Sequence, residues 1–326
     1  MISRDAFFAL PHAITLLGMS GVGKTTLAST LRRTGDGRHD GSGAWFHYSA
    51  DYRIGTRYLA EDILDNIKAK IMRMQDPFVA DLLRSDSIYI SHNISVENLE
   101  PVSTFLGMFG DPGQGGLDRR EFLRRQKLYG KAERRSMTDV PHFVERAWRI
   151  YQCKNFVNDA SGSLCEIADP DDGDDTVLKV LSADTMIIYV RPDQAYEEII
   201  KARAIAHPKP LFYNRAFIDP RLAGLPDSGQ TVDPARFAAS LFGDLLEFRK
   251  ARYQKIADRY GLTIDVKDLF ADGDARHGVR DADTFLDTLY RLVAAAARSP
   301  GGAAKLERYI EACTRRQSAR DTQSRS

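Results

Sequence analysis

The sequence predicts an α/β fold: a parallel sheet covered by helices on both faces, with a mostly helical insertion. Three observations lead there. The apolar run Ala13-Ile14-Thr15-Leu16-Leu17 stops at a glycine and opens into a glycine-rich loop, then a helix-forming stretch. Four further short strand-like runs are separated by segments of helical composition, the alternation that builds strand–helix–strand units. The largely helical stretch 56–152 stands between two of those runs and is too long for one crossover.

Each element follows in turn. Residues 13–17 form the first strand and 24–33 the first helix. Residues 34–43 are a polar, glycine-rich loop. Trp45-Phe46-His47-Tyr48 is a second strand, ending in Ser49-Ala50-Asp51. From Thr56 to Met74, Leu59, Ile63, Ile67 and Ile71 recur every four residues and make one helical face apolar. Residues 87–94 read as strand or loop. Residues 97–152 are mostly helical, broken at 110–116, where Asp111-Pro112-Gly113 is a strong breaker. Asn155-Phe156-Val157-Asn158-Asp159 is a strand ending in an acid, and the acidic stretch 169–175 a solvated loop or helix start. Residues 185–190 make the clearest strand, followed by a helix over 193–206 and a polar connection over 207–233. Pro234 opens one long helix to Tyr260, at a position where a missing N–H costs nothing. Residues 262–266 are the last strand, 281–298 a helix, and Pro300-Gly301-Gly302 precedes a short final helix. The expected domain covers 1–316, with its insertion at 56–152 and a disordered tail over 317–326.

Composition excludes several function classes. Of 326 residues, 43% are apolar and 28% charged, enough for a full core. The net charge of +1 gives no global pull toward nucleic acid or an anionic membrane. Cys153, Cys165 and Cys313 are too few and scattered for a disulfide framework or zinc site. The N-terminal Phe7-Phe8-Ala9-Leu10 run is too short for a signal-peptide core, and no apolar stretch reaches a membrane-spanning length. The expectation is a cytoplasmic protein with reduced thiols and no membrane partner.

One motif carries chemistry. Gly18-Met19-Ser20-Gly21-Val22-Gly23-Lys24-Thr25 fits G-x-x-x-x-G-K-[ST] without a gap. The glycines let the backbone curl so that several N–H groups point at one phosphate. Lys24 brings an ammonium to the terminal phosphates, the Thr25 hydroxyl is suited to Mg²⁺, and the helix that follows directs its N-terminus at the anion. Chance would place the bare pattern in roughly one chain of this length in a hundred at ordinary glycine usage. A strand before it and a helix after it sharpen the match. Over residues 13–33 the chain resembles the P-loop NTPase superfamily, in its small-molecule kinase or ATPase branch. The resemblance implies ATP and Mg²⁺ as ligands, held by Gly18, Ser20, Gly21, Val22, Gly23, Lys24, Thr25 and Thr26.

Such proteins need an acid near the magnesium ion. Asp159 ends the half-apolar third strand and looks like a Walker B carboxylate. Asp51 follows the second strand, where P-loop kinases of nucleosides, shikimate or gluconate commonly carry an acid for the accepting hydroxyl or the metal. Arg53 and Arg57 fit the accompanying substrate cations. The string Ser49-Ala50-Asp51 is also similar to tRNA dimethylallyltransferases, although the surrounding residues depart from that family. After the clearest strand come Arg191 and a helix bearing Lys201 and Arg203, candidates for cations over a transferring phosphoryl group or a solvated helix face. Lys24, Asp51 and Asp159 are the catalytic candidates, and Thr25, Asp51 and Asp159 the metal candidates.

Arg119, Arg120, Arg124, Arg125, Lys127, Lys131, Arg134 and Arg135 face only Glu121 and Glu133 in one basic helical segment. It suits a phosphate clamp, RNA, an acidic partner, or pairing with the 169–175 loop. His47 falls inside the second strand and reads as a satisfied core histidine. The favoured function is transfer of a phosphoryl group from ATP to a small molecule. The alternatives are an ATPase switch acting on a protein partner, since the P-loop also resembles that of signalling ATPases related to plant resistance proteins, and an ATP-regulated RNA-binding protein. No Asn-Lys-x-Asp guanine motif is present, which disfavours a GTPase.

Overall fold

The computed structural model describes residues 2–34, 44–74, 76–270 and 281–323. The chain begins with α1 (Arg4–Ala9), β1 (Ala13–Leu17), α2 (Lys24–Thr34), β2 (Trp45–Ser49), α3 (Ala50–Arg53) and α4 (Ala60–Arg73). There follow α5 (Pro77–Arg84), α6 (Glu100–Leu106), α7 (Arg119–Thr138), α8 (Val140–Arg149), β3 (Asn155–Asp159), α9 (Leu164–Ile167) and α10 (Thr176–Asp184). It continues through β4 (Met186–Arg191), α11 (Gln194–Ala206), α12 (Arg215–Leu222) and α13 (Pro234–Tyr260). The last elements are β5 (Gly261–Asp265), α14 (Val266–Leu269), α15 (Ala282–Ala296) and α16 (Pro300–Gln323). Residues 35–43 of the expected glycine-rich loop lie outside the described residues.

The chain divides into two units: Met1–Ala50, Met137–Arg203 and Gly243–Ser326 form the first, and Asp51–Ser136 with Ala204–Phe242 the second. Unit 1 holds a five-stranded, all-parallel sheet in the order β2-β3-β1-β4-β5. Its central strands β1 and β3 are buried along their whole length, as expected of a parallel sheet covered on both faces. The two faces can be read from β2. Alternate side chains leave a strand on opposite sides. Phe46 and Tyr48 pack on Phe143 of α8, with ring centroids 6.4 and 4.9 Å apart. On the other face Trp45 meets Phe285 of α15 edge-on. The fold is therefore the α/β P-loop type.

Strand β3 is half polar and still buried because its polar groups have partners. The Asn155 side-chain oxygen accepts from the His12 backbone N–H at 2.9 Å, and the Asn158 amide donates to Thr15 Oγ1 at 3.2 Å. A second internal anchor is the ion pair of Arg249 on α13 with Glu166 on α9, both side chains at most 2% exposed. The free thiols of Cys165 and Cys313 are buried, and burial pushes both above the usual thiol range.

Unit 2 gathers Ile54, Leu59, Ile63, Phe105, Leu106 and Tyr129 into its own core. Leu59 and Ile63 are buried as their four-residue spacing implies, and Ile67 packs alongside. The helix expected from Thr56 starts with a π turn over Ile54–Tyr58 before α4 begins. Residues 87–94 carry no regular structure.

Two boundaries differ from expectation. The insertion was expected over 56–152, whereas unit 2 covers 51–136 and takes up a second piece, 204–242. Helix α8 belongs to unit 1 because its apolar side, with Val140, Val144 and Ala147 buried, covers the sheet. The tail expected to be disordered from Gln317 is helical through Gln323. Arg320 explains the extension: its guanidinium lies 4.8 Å from the Trp148 ring centroid and donates to the Lys154 carbonyl at 3.0 Å.

Candidate functional site

The carboxyl ends of β1 and β3 meet at one place. Leu16 pairs with Asp159 across the sheet, and Ser49 of β2 pairs with Asp159 from the other side. The loop 18–23 leaves β1 there and ends at the N-terminus of α2, the end of a parallel sheet at which ligands bind.

The loop has the backbone of an anion cradle. Gly18, Gly21 and Gly23 have φ of +144°, +91° and +91°, values that side chains disfavour. Gly18 is further constrained, since a Cβ there would stand 2.8 Å from the Val190 carbonyl oxygen. Lys24 is buried and its Nζ donates to the carbonyls of Gly18 at 2.7 Å and Met19 at 3.1 Å. The ammonium is thereby held over the loop in which a polyphosphate would lie. From α11, the Tyr196 hydroxyl donates to the Gly21 carbonyl at 2.9 Å and ties down the tip.

Beside the cradle, the Thr25 hydroxyl donates to Asp159 Oδ2 at 2.6 Å. This joins the first turn of α2 to the end of β3. A hydroxyl and a carboxylate are hard oxygen donors, the set that Mg²⁺ prefers, and Mg²⁺ takes few protein ligands while keeping water and phosphate oxygens for the rest. Among the described residues no three His, Cys, Asp or Glu side chains form a metal cage, so a cation here would depend on those outside oxygens. Thr25 and Asp159 fit that role. Ser20 is exposed, Val22 is buried, and Thr26 lies on the first turn of α2.

The segment after β3 backs the cradle. Gly162 lies so near the loop that a Cβ on it would stand 2.7 Å from the Ser20 nitrogen. Ser161 and Ser163 are buried with their hydroxyls 3.2 Å apart. Sequence reasoning passed over this segment, although Asp159-Ala160-Ser161-Gly162 was there to be read as an acid followed by a permissive turn.

His47 departs from expectation. It was read as a satisfied core histidine, yet its Nε2 is buried with no hydrogen-bond partner among the described residues. That nitrogen lies 3.6 Å from Asp159 Oδ2.

The remaining candidates fall in both units. Asp51 opens unit 2, where it accepts from the Tyr129 hydroxyl at 3.2 Å. Arg53 lies over the Tyr58 ring and Arg57 is exposed. Lys201 pairs with Glu198 one turn away at 3.1 Å, and Arg203 is exposed on the same helix. Arg191 pairs with Asp265 through two bonds of 2.7 and 3.1 Å, so it ties β4 to β5.

In the acidic 169–175 loop, Asp171 and Asp174 pair with Lys255 and Lys179 inside unit 1. Arg119 donates to the Leu222 and Leu225 carbonyls, and the buried Arg125 to Glu121 and Asn66, so both hold unit 2 together. Arg120, Lys127, Lys131, Arg134 and Arg135 are exposed. No described helix is long and apolar enough to cross a membrane.

No family model matches the chain, and no curated protein matches it. Among solved structures it is similar to shikimate kinase from Bacteroides thetaiotaomicron, at 13% sequence identity over 87% of this chain and 97% of that one, with a TM-score of 0.34. At that score the likeness says nothing of activity here. The P-loop fold rests on the chain's own strand order, its cradle and the meeting of Thr25 with Asp159.

Proposed function

We propose that this chain binds Mg²⁺–ATP in the 18–26 cradle and transfers the terminal phosphoryl group to a small-molecule acceptor. The observation that carries the nucleotide half is the 2.6 Å hydrogen bond from Thr25 to Asp159 beside a buried, loop-bound Lys24. Backbone N–H groups of the loop and the start of α2 face the phosphates, and Lys24 offsets the charge that builds on them. A bound magnesium ion would neutralise charge on the phosphates, and Thr25 and Asp159 are the groups that would hold it.

The acceptor half rests on Asp51. It comes two residues after Ser49, the β2 residue paired with Asp159, and it carries a carboxylate suited to taking a hydroxyl proton. Arg53 and Arg57 follow it as cations for an anionic acceptor.

The test is ADP release with a panel of hydroxyl-bearing metabolites, in the parent and in Lys24→Ala, Asp51→Asn and Asp159→Asn. A kinase turns over only when an acceptor is added and loses turnover in all three variants. Release without acceptor that Lys24→Ala abolishes would instead assign an ATPase. Full turnover in Asp51→Asn would remove Asp51 from the acceptor site.

A further inference from the structure

Strand β2 contributes more to this region than a sheet edge. Its register sets Ser49 opposite Asp159 and His47 opposite Val157. Residues two apart share a face, so His47 and Asp159 leave the sheet on the same side, where Thr25 approaches from α2. The His47 side chain is 2% exposed and the Asp159 side chain 7%. Their facing atoms, Nε2 and Oδ2, stand 3.6 Å apart. That gap is slightly too long for a hydrogen bond and too short to admit a water. Nε2 has no other hydrogen-bond partner among the described residues, and a buried nitrogen left so is costly. Oδ2 is also the oxygen to which Thr25 donates.

On the reading that Asp159 serves a divalent cation, we infer that His47 is its positioning residue. With a proton on Nε2 the imidazole donates to Oδ2 after a shift of a few tenths of an ångström. Oδ2 is then fixed by two donors, Thr25 and His47, and the carboxylate plane is set before any cation arrives. Groups behind a metal's ligands typically change its affinity by about 10- to 100-fold when removed. His47 touches neither nucleotide nor acceptor in this account and acts only through Asp159.

Two amide substitutions separate positioning from mere packing. The Gln Nε2 takes the place of the histidine Nε2, whereas the Asn amide stops near the histidine Nδ1. The measurements are Mn²⁺ affinity of the ADP-bound protein by electron paramagnetic resonance, ADP affinity in EDTA, and the urea midpoint. The expected result for His47→Asn is a Mn²⁺ affinity lowered about 10- to 100-fold, with ADP affinity in EDTA unchanged. His47→Gln stays within about threefold of the parent, which is under half of the 1.4 kcal/mol that a tenfold change represents. Equal Mn²⁺ affinities in His47→Asn and the parent would overturn the inference, as would an equal loss in both variants or a loss of ADP affinity in EDTA. Were the parent to bind no ADP at all, the nucleotide reading itself would fail and this inference with it. ADP binding that depends on Lys24 but not on His47 overturns the inference alone.

Discussion

Gly162→Ala puts the cradle to a quantitative test. The added methyl would stand 2.7 Å from the Ser20 nitrogen, 3.1 Å from its Cβ and 3.2 Å from its Cα. Ordinary contact begins at 3.4 Å, so about 0.7 Å must be found between two backbones, neither of which ends in a flexible chain that can swing aside. Gly162 does not have positive φ, so alanine meets no torsional strain and the whole effect is spatial. Overpacking of this kind costs about 1–3 kcal/mol. If the Ser20 segment yields, the loop amides proposed to face the phosphates move with it, and the cost appears in binding as a loss of about 5- to 150-fold. The assay is titration calorimetry with ADP and Mg²⁺, beside a urea melt. Gly243→Ala on α13 is the control, because a Cβ there meets nothing within 4 Å and alanine is favoured over glycine in a helix. ADP affinity of Gly162→Ala within twofold of the parent, at unchanged stability, would refute the claim that this segment shapes the cradle.

Other outcomes follow from the same geometry. Tyr196→Phe removes the bond to the Gly21 carbonyl and should weaken ADP by a factor set by about 1 kcal/mol, with an unchanged urea midpoint; equal affinities would show that the tip is held without it. Arg249→Met leaves Glu166 buried without its partner and should cost about 3–5 kcal/mol, while Arg249→Met with Glu166→Leu should recover most of that; urea melts of the two variants decide. Burial, with help from the Lys154 charge, pushes the His12 imidazole from its usual 6.5 down to about 3. The unfolded chain therefore takes up this proton first. His12 contributes most to stability above pH 6.5 and progressively less as pH falls from about 6.5 toward 3, with a slope approaching about 1.4 kcal/mol per pH unit. Urea melts at pH 7 and pH 5 should show that slope in the parent and lose it in His12→Phe; a parent with no slope would refute the assignment.

Much of the core was legible because its signals are local. β1, the loop and α2 read directly, since an apolar run, three glycines and a lysine announce themselves within a dozen residues. β3 read as a strand, but why Asn155, Asn158 and Asp159 stay buried in it was not legible, because His12, Thr15 and Thr25 supply their partners from elsewhere in the chain. The role of His47 was invisible for the same reason, because nothing near it in sequence tells that a carboxylate stands across the sheet. Unit boundaries were misplaced where amphipathic helices adjoin. Val140, Val144 and Ala147 give α8 the same kind of apolar stripe as α4, and the stripe does not say which core it covers. The return of 204–242 to unit 2 likewise carries no local mark.

The strand order has a consequence for how the chain is made. β1 is synthesised first, yet both of its neighbours in the sheet, β3 and β4, belong to residues 155–191. At about 5–20 residues per second, translation leaves this largely apolar strand waiting on the order of ten seconds before its first proper neighbour emerges. Throughout that interval its backbone offers two open edges to whatever else is extended nearby. Nascent-chain survival therefore hinges on keeping residues 13–17 occupied or sheltered until β3 has been made.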